Sequence, residues 1–217
     1  MEFFRRARGS VSRLAVLPGT FNPVTIAHVE LARAASHLVD EVVCVLPREF
    51  PHKEYVGASF AQRVEMLEAV ARDEPRYSIA AVENGLLVEI ARECREVYGP
   101  EVRPMFVCGR DAAERIAGWD YGRPRAFSDM LSQFGLLVAA RNGAYTPPAE
   151  YRHAIRPLVL SGDFSHVSAS EIREAIAHGG NWKHLVPVCV RPLIERIYSS
   201  ATVTAPQPEP RDSAPER

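Results

Sequence analysis

Short apolar runs alternate with stretches of helical rhythm along most of the chain. Residues 13–18 form an apolar run ending in Pro-Gly-Thr, and residues 41–47 (EVVCVLP) form a second. The β-branched content of the second favours strand over helix. Between them, residues 25–38 carry apolar side chains at Ile26, Val29, Leu31, Ala34 and Ala35, the spacing of a helix face. The same reasoning predicts helices over 60–72, 86–98 and 111–117, and strands over 77–82, 103–108 and 134–140. A last short strand is expected at 158–160, with closing helices at 170–178 and 192–198.

Strands that alternate with helices imply βαβ units. The expected fold is therefore α/β, a Rossmann-like doubly wound parallel sheet. Two apolar-poor loops, 48–59 and 141–156, interrupt the alternation, and long loops in such folds often carry function. The pattern predicts a single domain over 1–199. From residue 200 the chain turns to Pro, Glu, Arg and Ser without periodicity, and a disordered tail is expected there.

Composition changes this picture little. The chain has 217 residues, 47% hydrophobic and 24% charged, so it can bury a sizeable core. A formal net charge of −1 gives no global field for nucleic acid or an anionic membrane, so phosphate binding has to come from a local cluster. Cys44, Cys94, Cys108 and Cys189 show no metal-ligand spacing and are expected to be buried, reduced thiols. The first ten residues are basic but lack the apolar stretch of a secretory signal, and no run reaches the ~20 apolar residues that span a bilayer. A cytoplasmic location is the expectation. Oligomeric state is left open, a homo-oligomer included.

Candidate chemistry begins in PGTFNPVTIAH, at the first strand–loop–helix junction. In open α/β sheets ligands bind beyond the carboxyl ends of strands, where helix N-termini offer free N–H groups. Gly19 has no Cβ and lets backbone approach a ligand closely, and Pro23 stiffens the turn. Thr25 and His28 lie three apart and share a helix face, a neutral donor beside a possible cation. The plainer reading is that Thr25 caps the helix and His28 sits on its surface. Neither the dinucleotide fingerprint GxGxxG nor a P-loop is present. Far downstream, HVSASEIREAI offers Ser168 or Ser170 as a helix cap with Arg173 one turn inside, a cradle of hydroxyls, N–H groups and a forked cation.

GTFNPVTIAH resembles the (H/T)xGH signature of the adenylyltransferase–cytidylyltransferase superfamily, and VSASEIR resembles its second signature, I-S-S-T-x-x-R. Ala27 and Ala169 depart from the two patterns. The resemblance implies a Rossmann-like HIGH-type nucleotidyltransferase fold with ATP as a substrate and Mg²⁺ held mainly by the phosphates. It implies that His28, Thr25 and Arg173 are catalytic. The same resemblance places Gly19, Thr20, Phe21, Gly109, Asp111, Ser168 and Ser170 with His28 and Arg173 among the ATP contacts.

Further matches are similar to one branch, the bacterial nicotinate (or nicotinamide) mononucleotide adenylyltransferases. These are Phe50-Pro51-His52-Lys53, Arg63 with Met66-Leu67, the strand FVCGRD, Trp119 eight residues after Asp111, and His184-Leu185-Val186-Pro187. The resemblance covers residues 13–198. It implies a small phosphorylated acceptor contacted by Asn22, His52, Lys53, Asn84 and Trp119. Asp111 reads equally as a ribose acceptor or a helix cap, and Trp119 as a stacking surface or a partly buried core residue. The loop after the third strand reads VENGLLVEIARE and lacks the branch's Ser-Tyr-Thr, and Thr25 is also similar to the pantetheine-phosphate adenylyltransferases, with their T-x-G-H. The implied reaction is transfer of AMP from ATP to nicotinate mononucleotide with release of pyrophosphate. Another transferase of the superfamily, or a silent nucleotide-binding regulator, remains as an alternative.

Overall fold

A computed structural model describes residues 1–48, 57–119, 122, 125–140 and 145–199. Its strands are β1 (Glu2–Arg5), β2 (Leu14–Pro18), β3 (Glu41–Pro47), β4 (Tyr77–Val82), β5 (Met105–Gly109), β6 (Gly135–Ala139) and β7 (Ile155–Leu158). The helices are α1 (Ile26–Ser36), α2 (Phe60–Ala71), α3 (Leu87–Tyr98), α4 (Arg110–Gly118), α5 (Ala126–Leu131), α6 (Ala169–Ala177) and α7 (Arg191–Ser199).

The strands form one sheet in the order β1-β4-β3-β2-β5-β6-β7. The chain winds outward from β2 through β3 to β4, then returns to the other side of β2 at β5. Every pairing from β4 to β7 is parallel. The reversal between β2 and β5 opens a crevice beyond their carboxyl ends, because the loops leaving these neighbours run to opposite faces. The sheet is covered on both sides, which is why β3 and β4 are buried at every position. Ala15, Leu17, Val42, Cys44 and Leu46 pack to one face, and Leu14, Val16, Val43 and Val45 to the other.

The sequence expectation needs correcting at four points. Residues 2–5 form an edge strand antiparallel to β4, so the sheet is not wholly parallel; two phenylalanines among charges are too short a run to announce it. The last strand is residues 155–158 rather than 158–160, because Arg156 and Pro157 interrupt the apolar pattern on an edge strand that tolerates both. Six-residue α5 is an added helix. Cys189 is exposed, lying in a 3₁₀ turn (Val188–Val190) that turns Val190 inward instead. Cys44 and Cys94 are buried and Cys108 half-buried, and burial pushes each thiol up to about 12. The expected tail, 200–217, lies outside the described residues. Among those described, no helix is long and apolar enough to cross a membrane.

One buried carboxylate ties the amino ends of the strands together. Glu41, at the start of β3, accepts hydrogen bonds from the Ser78 hydroxyl of β4 and the Tyr98 phenol of α3. Ser78 in turn accepts from the Ala7 N–H. Replacing Glu41 by Ala removes the acceptor shared by two enclosed hydroxyls and should cost about 2–4 kcal/mol in urea unfolding, with Glu41→Gln losing less. Equal stability of Glu41→Ala and the parent protein would show that the carboxylate holds nothing together.

Candidate active site

The crevice at the β2/β5 reversal holds a gap of about 170 Å³. Thr25 and His28 of the first loop and helix line it, as do Gly109 at the end of β5, Asp163 of the loop after β7, and Val167 and Ala169 at the start of α6. Both sequence signatures therefore meet at one opening.

Thr25 and His28 form a reciprocal cap at the start of α1. The Thr25 Oγ1 accepts the His28 backbone N–H at 3.3 Å, and the Thr25 backbone N–H donates to His28 Nδ1 at 3.0 Å. A glutamate or glutamine usually plays the returning role in such a box. Here an imidazole does, so Nδ1 is an acceptor and the ring proton sits on Nε2. The cap reading of Thr25 therefore holds, and His28 both returns that cap and lines the gap. The inner side of the ring meets apolar residues, including the Phe21 ring, edge-on at a centroid distance of 5.1 Å. That burial pulls His28 down from 6.5 to about 4. The imidazole is neutral at pH 7, a donor through Nε2–H rather than the cation the sequence suggested.

The neighbouring loop is held from three sides. Arg173 Nη1 donates to the Asn22 carbonyl at 2.6 Å, while its Nη2 donates to Ser170 Oγ at 3.2 Å. Asn22 Oδ1 accepts the Ala58 N–H at 3.1 Å and the Tyr198 hydroxyl. Arg63 Nη1 donates to the Thr20 carbonyl at 3.1 Å. The Asn22–Pro23 peptide is cis and Phe21 takes φ +50. At Gly57, with φ +115, a Cβ would stand 2.8 Å from Asn22 Oδ1, so only glycine brings the turn before α2 this close.

These contacts revise several single-residue expectations. Phe21 is fully buried, so its ring packs behind His28 and only its backbone remains for a ligand. A Cβ on Gly19 would meet the Phe21 ring at 3.0 Å, so this glycine makes room for the core. Gly109 differs, since space above its Cα is open. It starts α4, whose N-terminus carries Asp111, exposed, in the first turn. Ser168 caps α6 through its Oγ, which accepts the Glu171 N–H. Asn84 is occupied in the turn before α3, accepting from the Leu86 N–H and donating to Glu89. His52 and Lys53 lie outside the described residues.

Trp119 ends α4 and is 68% exposed, which excludes the core reading. It borders a second, apolar cleft of about 580 Å³ with Leu86, Leu87, Val88, Ile116 and Arg115. Nine-residue α4 spans about 13 Å, so the gap at Gly109 and the cleft at Trp119 lie at its two ends.

Sequence reasoning missed the loop after β7. Leu160, Asp163, Phe164 and Ser165 line the gap, and Glu30 of α1 fixes that loop by accepting the Ser161 N–H at 2.6 Å. A bidentate Arg33 holds the buried Glu30 carboxyl ionised, down at about 2. A Gly-Asp pair between a strand and the second signature was the available signal.

The cytidylyltransferase-like family model matches residues 16–175. A probable nicotinate-nucleotide adenylyltransferase of Citrifermentans bemidjiense is 29% identical, covering 87% of this chain and 99% of that protein. A phosphopantetheine adenylyltransferase of Rubrobacter xylanophilus is 30% identical over 86% of this chain and 95% of its own. The solved Plasmodium falciparum nicotinic acid mononucleotide adenylyltransferase, complexed with APC, superposes with a TM-score of 0.66 at 15% identity, over 87% of this chain and 98% of that one. That likeness speaks for the fold. With the match spanning β2 to α6, the chain belongs to the cytidylyltransferase-like family.

Proposed function

We propose that this protein is an adenylyltransferase that moves AMP from ATP to nicotinate mononucleotide and releases pyrophosphate. The observation that carries the reading is the 2.6 Å contact between Arg173 and the Asn22 carbonyl, which joins two segments 151 residues apart next to the gap that Thr25, His28, Val167 and Ala169 line. The name carried by the Citrifermentans relative supports the acceptor, as does an exposed tryptophan on an apolar cleft, a surface suited to a flat ring.

An acceptor phosphate oxygen attacks the α-phosphorus of ATP in line. A new P–O bond forms, the bond to the bridging oxygen of the β-phosphate breaks, and pyrophosphate takes the electron pair. The attacking oxygen is already ionised, so no protein nucleophile or base is required. The chain's contribution is position and charge stabilisation. His28 Nε2–H donates to the leaving phosphates, and Ser170, Arg173 and the first turn of α6 extend the anion cradle. Approaching phosphate charge favours the imidazolium and draws His28 upward from its resting value. Mg²⁺ bound to ATP would neutralise phosphate charge. Asp163 is the carboxylate lining the gap, and its Oδ1 already accepts the Ser165 N–H, which fits a metal carried by the nucleotide rather than by the chain.

A second reading, phosphopantetheine as acceptor, is favoured by the Rubrobacter relative and by the aliphatic wall Leu86-Leu87-Val88. Pyrophosphate release measured with each acceptor separates the two. Turnover with phosphopantetheine and none with nicotinate mononucleotide would replace the first reading.

His28→Ala should lower kcat on the order of 100-fold with the fold retained. Near-normal turnover would remove His28 from the reaction.

The half-buried imidazole also couples folding to pH. Its folded value, about 4, lies below the unfolded 6.5, so the unfolded chain binds a proton in that window while the folded one does not. The stabilising term is complete above pH 6.5 and is lost as pH falls to about 4, up to ~3 kcal/mol at 1.36 kcal/mol per unit. Urea unfolding of His28→Gln across pH 4–7 should show a flatter slope than the parent, and an unchanged slope would place the buried proton site elsewhere.

A further inference from the structure

We infer that Arg115 selects the charge of the acceptor, favouring an aromatic ring that bears a carboxylate over the same ring bearing a carboxamide. The inference rests on the function proposed above and names a determinant within the acceptor cleft. Arg115 lies in the last turn of α4, four residues before Trp119, so the two side chains share a helix face about 5–6 Å apart at Cβ. Both border the 580 Å³ cleft, whose other described walls include the aliphatic Leu86, Leu87, Val88, Ile116 and Met130.

The neighbouring charges are already matched. Arg110 pairs with Glu114 at 2.7 Å, and Glu89 accepts from Asn84. Arg115 makes no hydrogen bond or ion pair with the described residues, and it is the ionisable side chain among those lining the cleft. The opposite wall is the N-terminal end of α3, which has no side-chain cap and so presents its positive dipole end. A flat ring laid on Trp119 would thus carry its substituent into an apolar space with a guanidinium at its edge that makes no ion pair with the described residues. A carboxylate there gains a charge-assisted, bidentate hydrogen bond, whereas a carboxamide gains a neutral one and leaves the guanidinium without a counter-charge. The missing Ser-Tyr-Thr makes this cation matter more, because Leu86-Leu87-Val88 offers no side-chain hydroxyl to the ring.

The experiment compares steady-state kcat/KM for nicotinate and nicotinamide mononucleotide with saturating ATP in the parent protein, Arg115→Met, Arg115→Lys and Arg110→Met. The parent should prefer the acid. Arg115→Met should lower the acid-to-amide ratio about tenfold, mainly through KM for the acid, and Arg115→Lys should restore part of it. Arg110→Met should leave the ratio in place, since its charge is paired. Turnover with an unmoved ratio in Arg115→Met, or an equal fall in Arg110→Met, overturns the role of Arg115 alone. Turnover of neither mononucleotide by the parent protein overturns the functional reading, and the selection by Arg115 with it.

Discussion

The hydrogen bonds that converge on Asn22 hold the first loop in one shape, and the candidate site exists only while they do. Its carbonyl takes the Arg173 guanidinium, and its side-chain oxygen takes the Ala58 N–H and the Tyr198 hydroxyl. Three distant parts of the chain, the turn before α2, α6 and α7, are thereby tied to the residue that precedes the cis peptide at Pro23. Asn22 is buried and the bonds to its side-chain oxygen are made away from water, so they are costly to leave unmade. Fixing Asn22 fixes Thr25, and Thr25 orients the imidazole of His28.

That chain of dependence explains why the imidazole sits as a neutral donor. Its Nδ1 is occupied by the Thr25 backbone N–H, its inner face by Phe21, and Gly19 is small because Phe21 needs the space. Preorganised neutral donors suit a site that must accept a polyanion without first collapsing onto a counter-ion of its own. Arg173 supplies permanent charge nearby, held by carbonyl and hydroxyl oxygens rather than by a carboxylate.

The two openings lie apart on the molecule. The gap lined by Thr25, His28 and Asp163 lies over the β2/β5 reversal, and the apolar cleft lies a helix length away beside Trp119. α4 links them rigidly, starting at Gly109, where space is open for a close approach, and ending at the exposed indole. A separation of about 13 Å along this helix suits two substrates that meet between its ends.

Much of this was legible in the chain itself. Buried parallel strands announce themselves as continuous β-branched runs, so β2 to β6 stood where the pattern put them. The two signatures were readable because they gather hydroxyls and cations at helix starts, the residue types a phosphate site would need. Hydropathy could not reveal β1 or the true register of β7, because edge strands need no continuous apolar run. Nor could it show that Phe21 is core, that the loop after β7 lines the gap, or that His28 is neutral. Those outcomes depend on which distant groups surround each side chain, and burial and hydrogen-bond partners are properties of three dimensions rather than of spacing. Sequence determined which elements form and which residue types wait at their ends. Tertiary structure decided protonation, exposure and who touches whom, because desolvation and contact arise only when segments remote in the chain are packed together.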